Sequence, residues 1–467
     1  MNRRNFLKTG LASSLLIGSG SLLNGRALTP KTAARARNVI FLVSDGMSNG
    51  TLSLADQFIR WRDGHSSNWI RLYEEEKARK GFVETASANS IVTDSAAGAS
   101  SWGCGHRVNN GSLNIGVNGE EHPPILLLAK ENGKATGLVT TATATHATPA
   151  GFSVNVPTRR NQPLIAEQYL EREIDLIFGG GEEFFSADRR SDGRDLFKEF
   201  AEAGYGIART REELKSVNGD RLLGIFSRGH LPYELDRSHS PDLSKTVPSL
   251  SEMARVALEQ LNRRPDGFVL QIEGGRVDHG AHANDIGALI FDQIEFDKTI
   301  AVATEFAEKH GDTLVIITTD HGNANPGLSS GPDGGEKTFS TLSNFRGTHQ
   351  PILSALNKDS SPEEITARIQ EITQLKIPSE HSKTMQEALQ QKYQPVYNRM
   401  RSPSALLGQI LANHTDIGWI GNSHTSDHVE VAALGPGSDA LKLFQKNTDL
   451  FTMMTNALGI TAPAVSG

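Results

Sequence analysis

Acidic and imidazole side chains follow an apolar stretch of this chain in a pattern suited to binding metal ions. The run from Phe268 to Ile272 is typical of a buried strand, and Glu273 and two glycines follow it. Asp278 and His282 come next, four residues apart, so one helical turn would place both on the same face. A carboxylate and an imidazole in that position could hold one cation together. The stretch therefore predicts half of a metal site.

Other predicted strands end in residues of the same chemical kinds. A continuous apolar run at 38–43 precedes Asp45, and a run at 313–319 precedes Asp320 and His321. A third run, at 135–145, leads into His146 and Thr148. A lone acid at a strand end is most often a helix cap or a surface residue, but so many at strand ends are hard to explain by packing. Together they predict one shared site.

Ser95 is a candidate nucleophile. Residues 91–93 read as a short strand, which breaks after Asp94 and Ser95 into a series of small residues. Small side chains allow a tight turn into a helix, with Ser95 near its N-terminus, where backbone amides favour an anion. In isolation the same pattern would indicate an ordinary helix cap.

The elements that must position these residues alternate between strand and helix. Amphipathic patterns predict helices at 52–62, 196–203, 211–217, 251–262 and 286–307, and apolar runs predict further strands at 174–178, 205–208 and 429–434. This order predicts an α/β fold, a three-layer sandwich with a largely parallel central sheet and helices on both faces. Ligands of such sheets gather at the carboxyl ends of the strands. Residues 227–249 are left as an unassigned loop.

The domain boundaries follow from the composition. Residues 38–467 form the catalytic domain in this interpretation, and the polar, helix-prone part near the C-terminus reads as an inserted helical subdomain at about 327–418. With 37% apolar and 22% charged residues, the composition is that of an ordinary globular protein. The single cysteine, Cys104, excludes an intramolecular disulfide and a multi-cysteine zinc site.

The first 37 residues are typical of a twin-arginine export signal. Arg3 and Arg4 precede a moderately apolar run that is too short to span a membrane, and no acid occurs before Asp45. Cleavage after this segment would remove seven positive charges and change the net charge from −7 to −14. An acidic protein is a poor candidate for binding nucleic acid. We therefore expect an exported, periplasmic or secreted protein without a stable membrane span.

Taken together, the short motifs resemble those of alkaline phosphatase, in the same order along the chain from about residue 38 to the C-terminus. A Thr-Asp-His block alone is weak, whereas the Ser95 block and the block from Glu273 to His282 are specific in combination. The matching blocks are Ser44-Asp45-Gly46-Met47, Thr93-Asp94-Ser95, His146-Ala147-Thr148-Pro149, Glu273 to His282, Asp320-His321 and His424-Thr425.

The resemblance implies a phosphomonoesterase that works through a phosphoserine on Ser95, with two zinc ions and one magnesium ion. Arg159 matches the phosphate-binding arginine, with its neighbour Arg160 as the rival. The family is commonly dimeric, so a homodimer is expected. The implied ligands are Asp278, His282 and His424 for the first zinc, Asp45, Asp320 and His321 for the second, and Asp45, Thr148 and Glu273 for magnesium.

The chain departs from the best-known bacterial pattern at three positions. His146 stands where bacterial enzymes often carry Asp, and His279 stands where they often carry Lys; both histidines resemble the animal enzymes instead. Ser426 replaces a usual Gly. We expect His146 to affect magnesium retention or the pH optimum without being a ligand itself. His428 lies close to His424 in sequence and is its rival, although the His-Thr block favours His424.

Three other functions remain to be weighed. A phosphodiesterase of the same superfamily typically lacks the magnesium-type site, which Thr148 and Glu273 indicate here. A sulfatase needs a modifiable residue in a different motif, which the residues after Ser95 do not provide. A non-catalytic zinc or phosphate carrier has no need of Ser95 and Arg159. Hydrolysis of small phosphate monoesters is therefore the predicted function.

Overall fold

The computed structural model describes residues 35–329 and 335–462. Residues 1–34 of the predicted export signal lie outside the described residues. Within them, no helix is both long enough and apolar enough to cross a bilayer.

A mixed ten-stranded sheet forms the centre of the described residues, in the order β14-β2-β13-β8-β1-β7-β3-β4-β6-β5. Strand β13 is antiparallel to both of its neighbours, and the other pairs are parallel. Its strands are β1 (Asn38–Val43), β2 (Arg79–Glu84), β3 (Ala135–Thr143), β4 (Leu176–Gly180), β5 (Tyr205–Ala208), β6 (Arg221–Ile225), β7 (Phe268–Glu273), β8 (Thr313–Thr318), β13 (Val429–Leu434) and β14 (Phe444–Lys446). Two ribbons pair β10 (Pro326–Leu328) with β11 (Ile417–Trp419), and β9 (Gly322–Asn323) with β12 (His424–Thr425).

Helices cover both faces of the sheet. They are α1 (Asn49–Asp63), α2 (Asn68–Glu74), α3 (Ser95–Cys104), α4 (Ile125–Glu131), α5 (Ala147–Gly151), α6 (Gln162–Glu171), α7 (Leu196–Glu202), α8 (Arg211–Ser216), α9 (Glu234–His239), α10 (Pro241–Thr246), α11 (Leu250–Leu261), α12 (Arg276–His282), α13 (Ile286–His310), α14 (Glu336–Leu342), α15 (His349–Ser354), α16 (Pro362–Thr373), α17 (Ser379–Leu389), α18 (Pro403–Thr415) and α19 (Asp449–Leu458). Short 3-10 turns lie at Glu182–Phe184, Asn398–Arg401 and Ser438–Ala440.

Strand β1 shows why the molecule has three layers. Successive side chains of a strand point to opposite faces of its sheet. Ile40 and Leu42 therefore enter a core with helices α1, α11 and α13, while Val39 and Phe41 enter a second core with α3, α4 and α19. Every residue of β1 is buried, as a strand covered on both faces requires. The predicted sandwich is confirmed.

Four central strands, β8, β1, β7 and β3, are adjacent, parallel and fully buried. In their register Val43 lies between Thr318 and Glu273, and Glu273 in turn lies beside Thr140. The chain segments that leave these strands therefore start from the same edge of the sheet. This edge carries most of the predicted site residues.

Some local predictions were wrong. Residues 91–93 form a bend rather than a strand, and Ile91 is largely exposed. The segment left as a loop at 227–249 contains helices α9 and α10. Strands β2 and β6 were not predicted. The proposed insertion contains helices α14 to α18, and Ile365, Met385 and Leu406 join the core that contains α13. Its role as a separate subdomain stays a prediction.

Candidate metal centre and nucleophile

Asp45, Asp320 and His321, which we call the inner group, follow the adjacent strands β1 and β8. Ligand-type atoms of all three lie within 4.8 Å of one another, and the three side chains are fully buried. His321 Nε2 is 3.1 Å from Asp320 Oδ2 and 3.8 Å from Asp45 Oδ1. Neither of these two carboxylate oxygens has a hydrogen-bond partner among the described residues. Buried polar atoms are rarely left unpaired, so their convergence on one point fits a bound cation.

Asp278, His282 and His424, the outer group, come from helix α12 and strand β12. His282 Nδ1 lies 2.9 Å from the carbonyl oxygen of Asn422, and His424 Nδ1 lies 2.9 Å from that of Thr93. A carbonyl oxygen only accepts hydrogen bonds, so each neutral ring carries its proton on Nδ1 and a lone pair on Nε2. The two Nε2 atoms face each other at 3.0 Å. Two opposed lone pairs repel, and a shared cation removes that repulsion.

Asp45, His146 and Glu273 form the third group, beside the inner one. His146 Nδ1 lies 3.7 Å from Glu273 Oε1 and 3.9 Å from Asp45 Oδ2. Thr148 is also present, because its hydroxyl donates to Asp45 Oδ2 at 3.4 Å. Asp45 therefore faces the inner group with one carboxylate oxygen and the third group with the other.

The electrostatics of these groups fit positively charged ions. Burial raises the pKa of Asp45 well above its ordinary value, and the carboxylates of Asp320, Asp278 and Glu273 raise it further. So much negative charge in one buried place calls for compensating cations. Burial, together with His321, lowers the pKa of His424 to about 4. At neutral pH His424 is therefore in the neutral form that binds metals.

Ser95 lies at the junction of the inner and outer groups. It begins helix α3, whose N-cap is Asp94, and it is 2% exposed. Its Oγ is 3.3 Å from His321 Nε2, and the ring of His321 stacks on that of His424 with centroids 3.6 Å apart. The hydroxyl thus combines a helix N-terminus with two neighbouring sets of ligand atoms, an arrangement suited to an activated nucleophile.

Arg159 also reaches this centre. Its Nη1 is 3.2 Å from Asp94 Oδ2, and its Nη2 donates toward His146 Nε2 at 3.0 Å. The guanidinium therefore contacts Asp94, which precedes Ser95 in the chain, and His146 of the third group. In this position it could bind a phosphate. Arg160 is exposed and makes no side-chain contact of this kind. The structure therefore favours Arg159 over its rival.

The other rivals lie elsewhere. His428 is exposed and packs its ring against Phe444, with centroids 5.0 Å apart, whereas His424 belongs to the outer group. Cys104 is buried at the end of α3, and burial raises the pKa of its thiol to about 12. A thiol in that environment is a packed side chain and a poor nucleophile.

Sequence reasoning missed residues that orient the candidate ligands. Thr140 donates its hydroxyl to Glu273 Oε2, which leaves Oε1 for the third group. Asn323 donates its amide to Asp278 Oδ1 at 2.7 Å. Gly46 has φ of +66°, and a Cβ there would collide with the Asp278 carboxylate, so glycine lets the inner and outer groups approach. Only the position of Asn323 after His321, and of Gly46 after Asp45, could have drawn attention to them.

Comparisons with known proteins agree with this geometry. Residues 36–460 match the sequence model of the family described as alkaline phosphatase. Alkaline phosphatase 4 of Bacillus subtilis is 32% identical over 434 residues, which cover 89% of this chain and 87% of that protein. The crystal structure of Thermus thermophilus alkaline phosphatase superposes with a TM-score of 0.87 and 34% identity, covering 96% of both chains. This chain therefore belongs to the alkaline phosphatase family of metal-dependent phosphomonoesterases.

Proposed function

We propose that this alkaline phosphatase hydrolyses phosphate monoesters through a covalent phosphoserine on Ser95, at a site for two zinc ions and one magnesium ion. The observation that carries the proposal is the buried Ser95 hydroxyl, 3.3 Å from His321 of the inner group and beside the outer group. A phosphodiesterase is not favoured, since the matched relatives named above are phosphatases and a third group, with the carboxylates of Asp45 and Glu273, is present.

The side chains indicate which ion each group would hold. Imidazole with carboxylate suits zinc, so the outer group would hold one zinc ion and the inner group the other. Carboxylate and hydroxyl oxygens suit magnesium, so Asp45, Thr148 and Glu273 would hold it. His146 Nε2 accepts from Arg159, so the neutral ring carries its proton on Nδ1, which faces Glu273. That proton supports His146 as a neighbour of the ion rather than a ligand.

The residues of the chain define the course of the reaction. Ser95 Oγ attacks phosphorus, the ester P–O bond breaks, and the alcohol leaves with a proton. Water then attacks the phosphoserine, releasing inorganic phosphate and restoring the serine. The amides at the start of helix α3 favour negative charge on the serine oxygen, and Arg159 binds the non-bridging oxygens. When bound, the metal ions stabilise the attacking and leaving oxygens and lower the pKa of the nucleophile.

The proposal also covers the cellular location of the protein, its oligomeric state and the inserted segment. The twin-arginine pattern at residues 1–37 supports export to the periplasm or medium with cleavage of that segment. Residues 38–467 would then be the mature catalytic domain, with the insertion at about 327–418 beside the outer group. The family resemblance supports a homodimer. Small phosphate monoesters of varied structure are the proposed substrates.

Replacing the nucleophile tests the mechanism. Ser95→Ala should reduce kcat/KM for p-nitrophenyl phosphate by at least about a thousandfold, because it removes the nucleophilic oxygen that lies beside His321. Metal analysis of the wild-type protein should give two zinc ions and one magnesium ion per chain. Wild-type protein that prefers bis(p-nitrophenyl) phosphate, or a Ser95→Ala variant that keeps full activity with bound metal, would contradict the proposal.

A further inference from the structure

Arg276, at the start of helix α12, is a buried guanidinium without a carboxylate partner. The residue is 7% exposed, and no carboxylate oxygen of the described residues lies within 4.0 Å of its side-chain nitrogens. Its Nε has no hydrogen-bond partner. A buried charge is costly unless it is paired and hydrogen-bonded. Arg276 is therefore poised to receive an anion.

The groups that touch Arg276 carry no negative charge at neutral pH. Its Nη1 donates toward His279 Nδ1 at 2.9 Å, and its Nη2 donates to Gln350 Oε1 at a long 3.4 Å. Its guanidinium carbon lies 3.6 Å from the centre of the Tyr233 ring. An imidazole, an amide and a phenol ring solvate the cation without neutralising it.

Two carboxylates lie within electrostatic reach but are committed elsewhere. Burial raises the pKa of Asp236 and of Asp292, and Arg276 partly offsets both effects. Asp236 accepts the amide and the hydroxyl of Thr348, and Asp292 accepts the amide of Glu234. Each carboxylate thus holds a helix or loop in place at a distance from the guanidinium. The positive charge of Arg276 stays available on its other side.

Arg276 belongs to a chain of side chains that leads to the catalytic centre. His279 lies between it and His146, with the two imidazole centroids 5.5 Å apart, and Arg159 contacts the far side of His146. His230 packs on His279 with centroids 4.3 Å apart. The guanidinium of Arg276 is thus separated from the phosphate-binding Arg159 by two imidazole rings.

This place is accessible from solvent. His230 and Gln350 are both exposed, although Arg276 beneath them is buried. Gln350 also lines a cavity of about 390 Å³ that opens between helices α9 and α10 on one side and α15 on the other. An anionic group could enter past His230 and replace the weak contact from Gln350.

We propose that Arg276, His279 and His230 form a second anion subsite, which binds a second phosphoryl group of the substrate. The enzyme would then favour phosphate monoesters that carry another phosphoryl group at the opposite end of the same sugar or polyol, because two imidazole rings separate Arg276 from Arg159. The inference rests on the proposed function, because it assumes that the reacting phosphate lies at Ser95 and Arg159.

Matched substrates test the subsite. Glucose 6-phosphate and glucose 1,6-bisphosphate share the same ring and the same 6-ester, and the bisphosphate has a statistical advantage of only twofold. The wild-type enzyme should prefer the bisphosphate by about tenfold in kcat/KM, as expected for one charge-assisted hydrogen-bonded contact. Arg276→Met should reduce that preference to about twofold, while its activity on glucose 6-phosphate falls much less than its activity on the bisphosphate.

The control is Arg160→Met, which removes the same charge from an exposed position and should leave the preference at about tenfold. If Arg276→Met lowers both activities by the same factor, Arg276 acts only through the structure and the subsite is refuted. A wild-type preference near twofold also refutes it. Absence of any wild-type activity on glucose 6-phosphate would instead refute the proposed function.

A second variant covers the case in which Arg276→Met does not fold. His230 is exposed at the rim, so His230→Gln should fold, keep a hydrogen-bond donor and lose the geometry of the ring. We expect it to reduce the preference for the bisphosphate by about threefold, because the amide donor lies in a different place from the ring nitrogen and one neutral hydrogen bond is weakened. An unchanged preference in this variant would overturn the proposal.

Discussion

The inner and outer groups use similar residue types, a carboxylate and an imidazole among them, yet differ in how the fold holds them. The inner group follows two adjacent strands of the central sheet and is fully buried. The outer group joins a short helix to a two-residue strand, and the side chain of His282 is 40% exposed. The first is part of the core, and the second lies at its edge.

The two carboxylates that anchor the groups show the same contrast. Asp320 Oδ1 accepts two backbone amides, from Gly46 and from His321, each at 3.0 Å. Asp278 Oδ1 instead accepts the side-chain amide of Asn323. Backbone donors are placed by the sheet and do not change when a side chain is replaced. On the proposed function, the inner group should therefore be rigid and hold a bound ion tightly, and the outer group should lose a bound ion first.

Of the two groups, the inner one is expected to show the larger effect. Asp320→Asn removes one negative charge from a fully buried ligand position while keeping the size of the side chain. We expect kcat/KM for p-nitrophenyl phosphate to fall by about a thousandfold, equivalent to about 4 kcal/mol of transition-state stabilisation. Added zinc should not restore it, because the position is fully buried and entering water cannot replace the lost carboxylate charge.

Asp312→Asn is the matched control for that change. Asp312 precedes the other end of the same strand, β8, where it forms a partly exposed ion pair with Arg37 at 3.5 Å. This variant should keep wild-type activity and metal content. Equal losses in the two variants would show that the strand, and not the ligand position, is what the substitution disturbs.

A smaller effect is expected in the outer group. His282→Ala removes a partly exposed imidazole, and water can enter the vacated position because the site is open on that side. We expect kcat/KM to fall by about a hundredfold at trace zinc and to recover to within about tenfold of wild type in added zinc. Activity at a series of free zinc concentrations measures this. The exposed His65 provides a control, since His65→Ala should change neither value.

Either of two outcomes of the zinc titration would contradict the contrast between the two groups. If zinc restores Asp320→Asn as well as His282→Ala, the two groups hold their ions in the same way. If it restores neither, the exposure of His282 has no bearing on metal exchange.

The same contrast explains which parts of the molecule could be predicted from the sequence. Strands β1, β7 and β8 are buried on both faces, so they appear as unbroken apolar runs with an acid just beyond each. Strand β2 was missed because Arg79 and Lys80 are exposed and its burial alternates. Residues 91–93 contain β-branched side chains that suggested a strand, but Ile91 is exposed and the segment pairs with none of the strands in the described part of the chain.

The same contrast separates the site residues that could be predicted from those that could not. Resemblance to a family supplied the candidate ligands, and burial at strand ends supported those of the inner group. The supporting residues could not be predicted, because Thr140 and Asn323 act through one hydrogen bond whose partner is distant in sequence. The sequence did not identify Arg276 as a site residue for a related reason. Its significance is that this buried guanidinium has no carboxylate partner among the described residues, and residue spacing cannot reveal that.

The smallest expected effect concerns the residue that orients the outer carboxylate. Asn323→Ala removes the 2.7 Å hydrogen bond to Asp278 Oδ1 but leaves all three outer ligands in place. Such supporting hydrogen bonds typically contribute ten- to a hundredfold to metal affinity, so we expect zinc binding to the outer group to weaken by about tenfold. Competition with a chromogenic chelator gives this value, and the number of ions bound at saturation should not change.

Asn344→Ala, at an exposed asparagine of the insertion, is the control and should bind zinc as the wild type does. The inner group should keep its affinity in Asn323→Ala, because backbone amides and not Asn323 hold Asp320. If both affinities fall together, the two groups are coupled through Asp278 and Asp45, whose carboxylates already influence each other across Gly46. The edge of the site would then depend on its core, and the order of metal loss argued from exposure alone would be wrong.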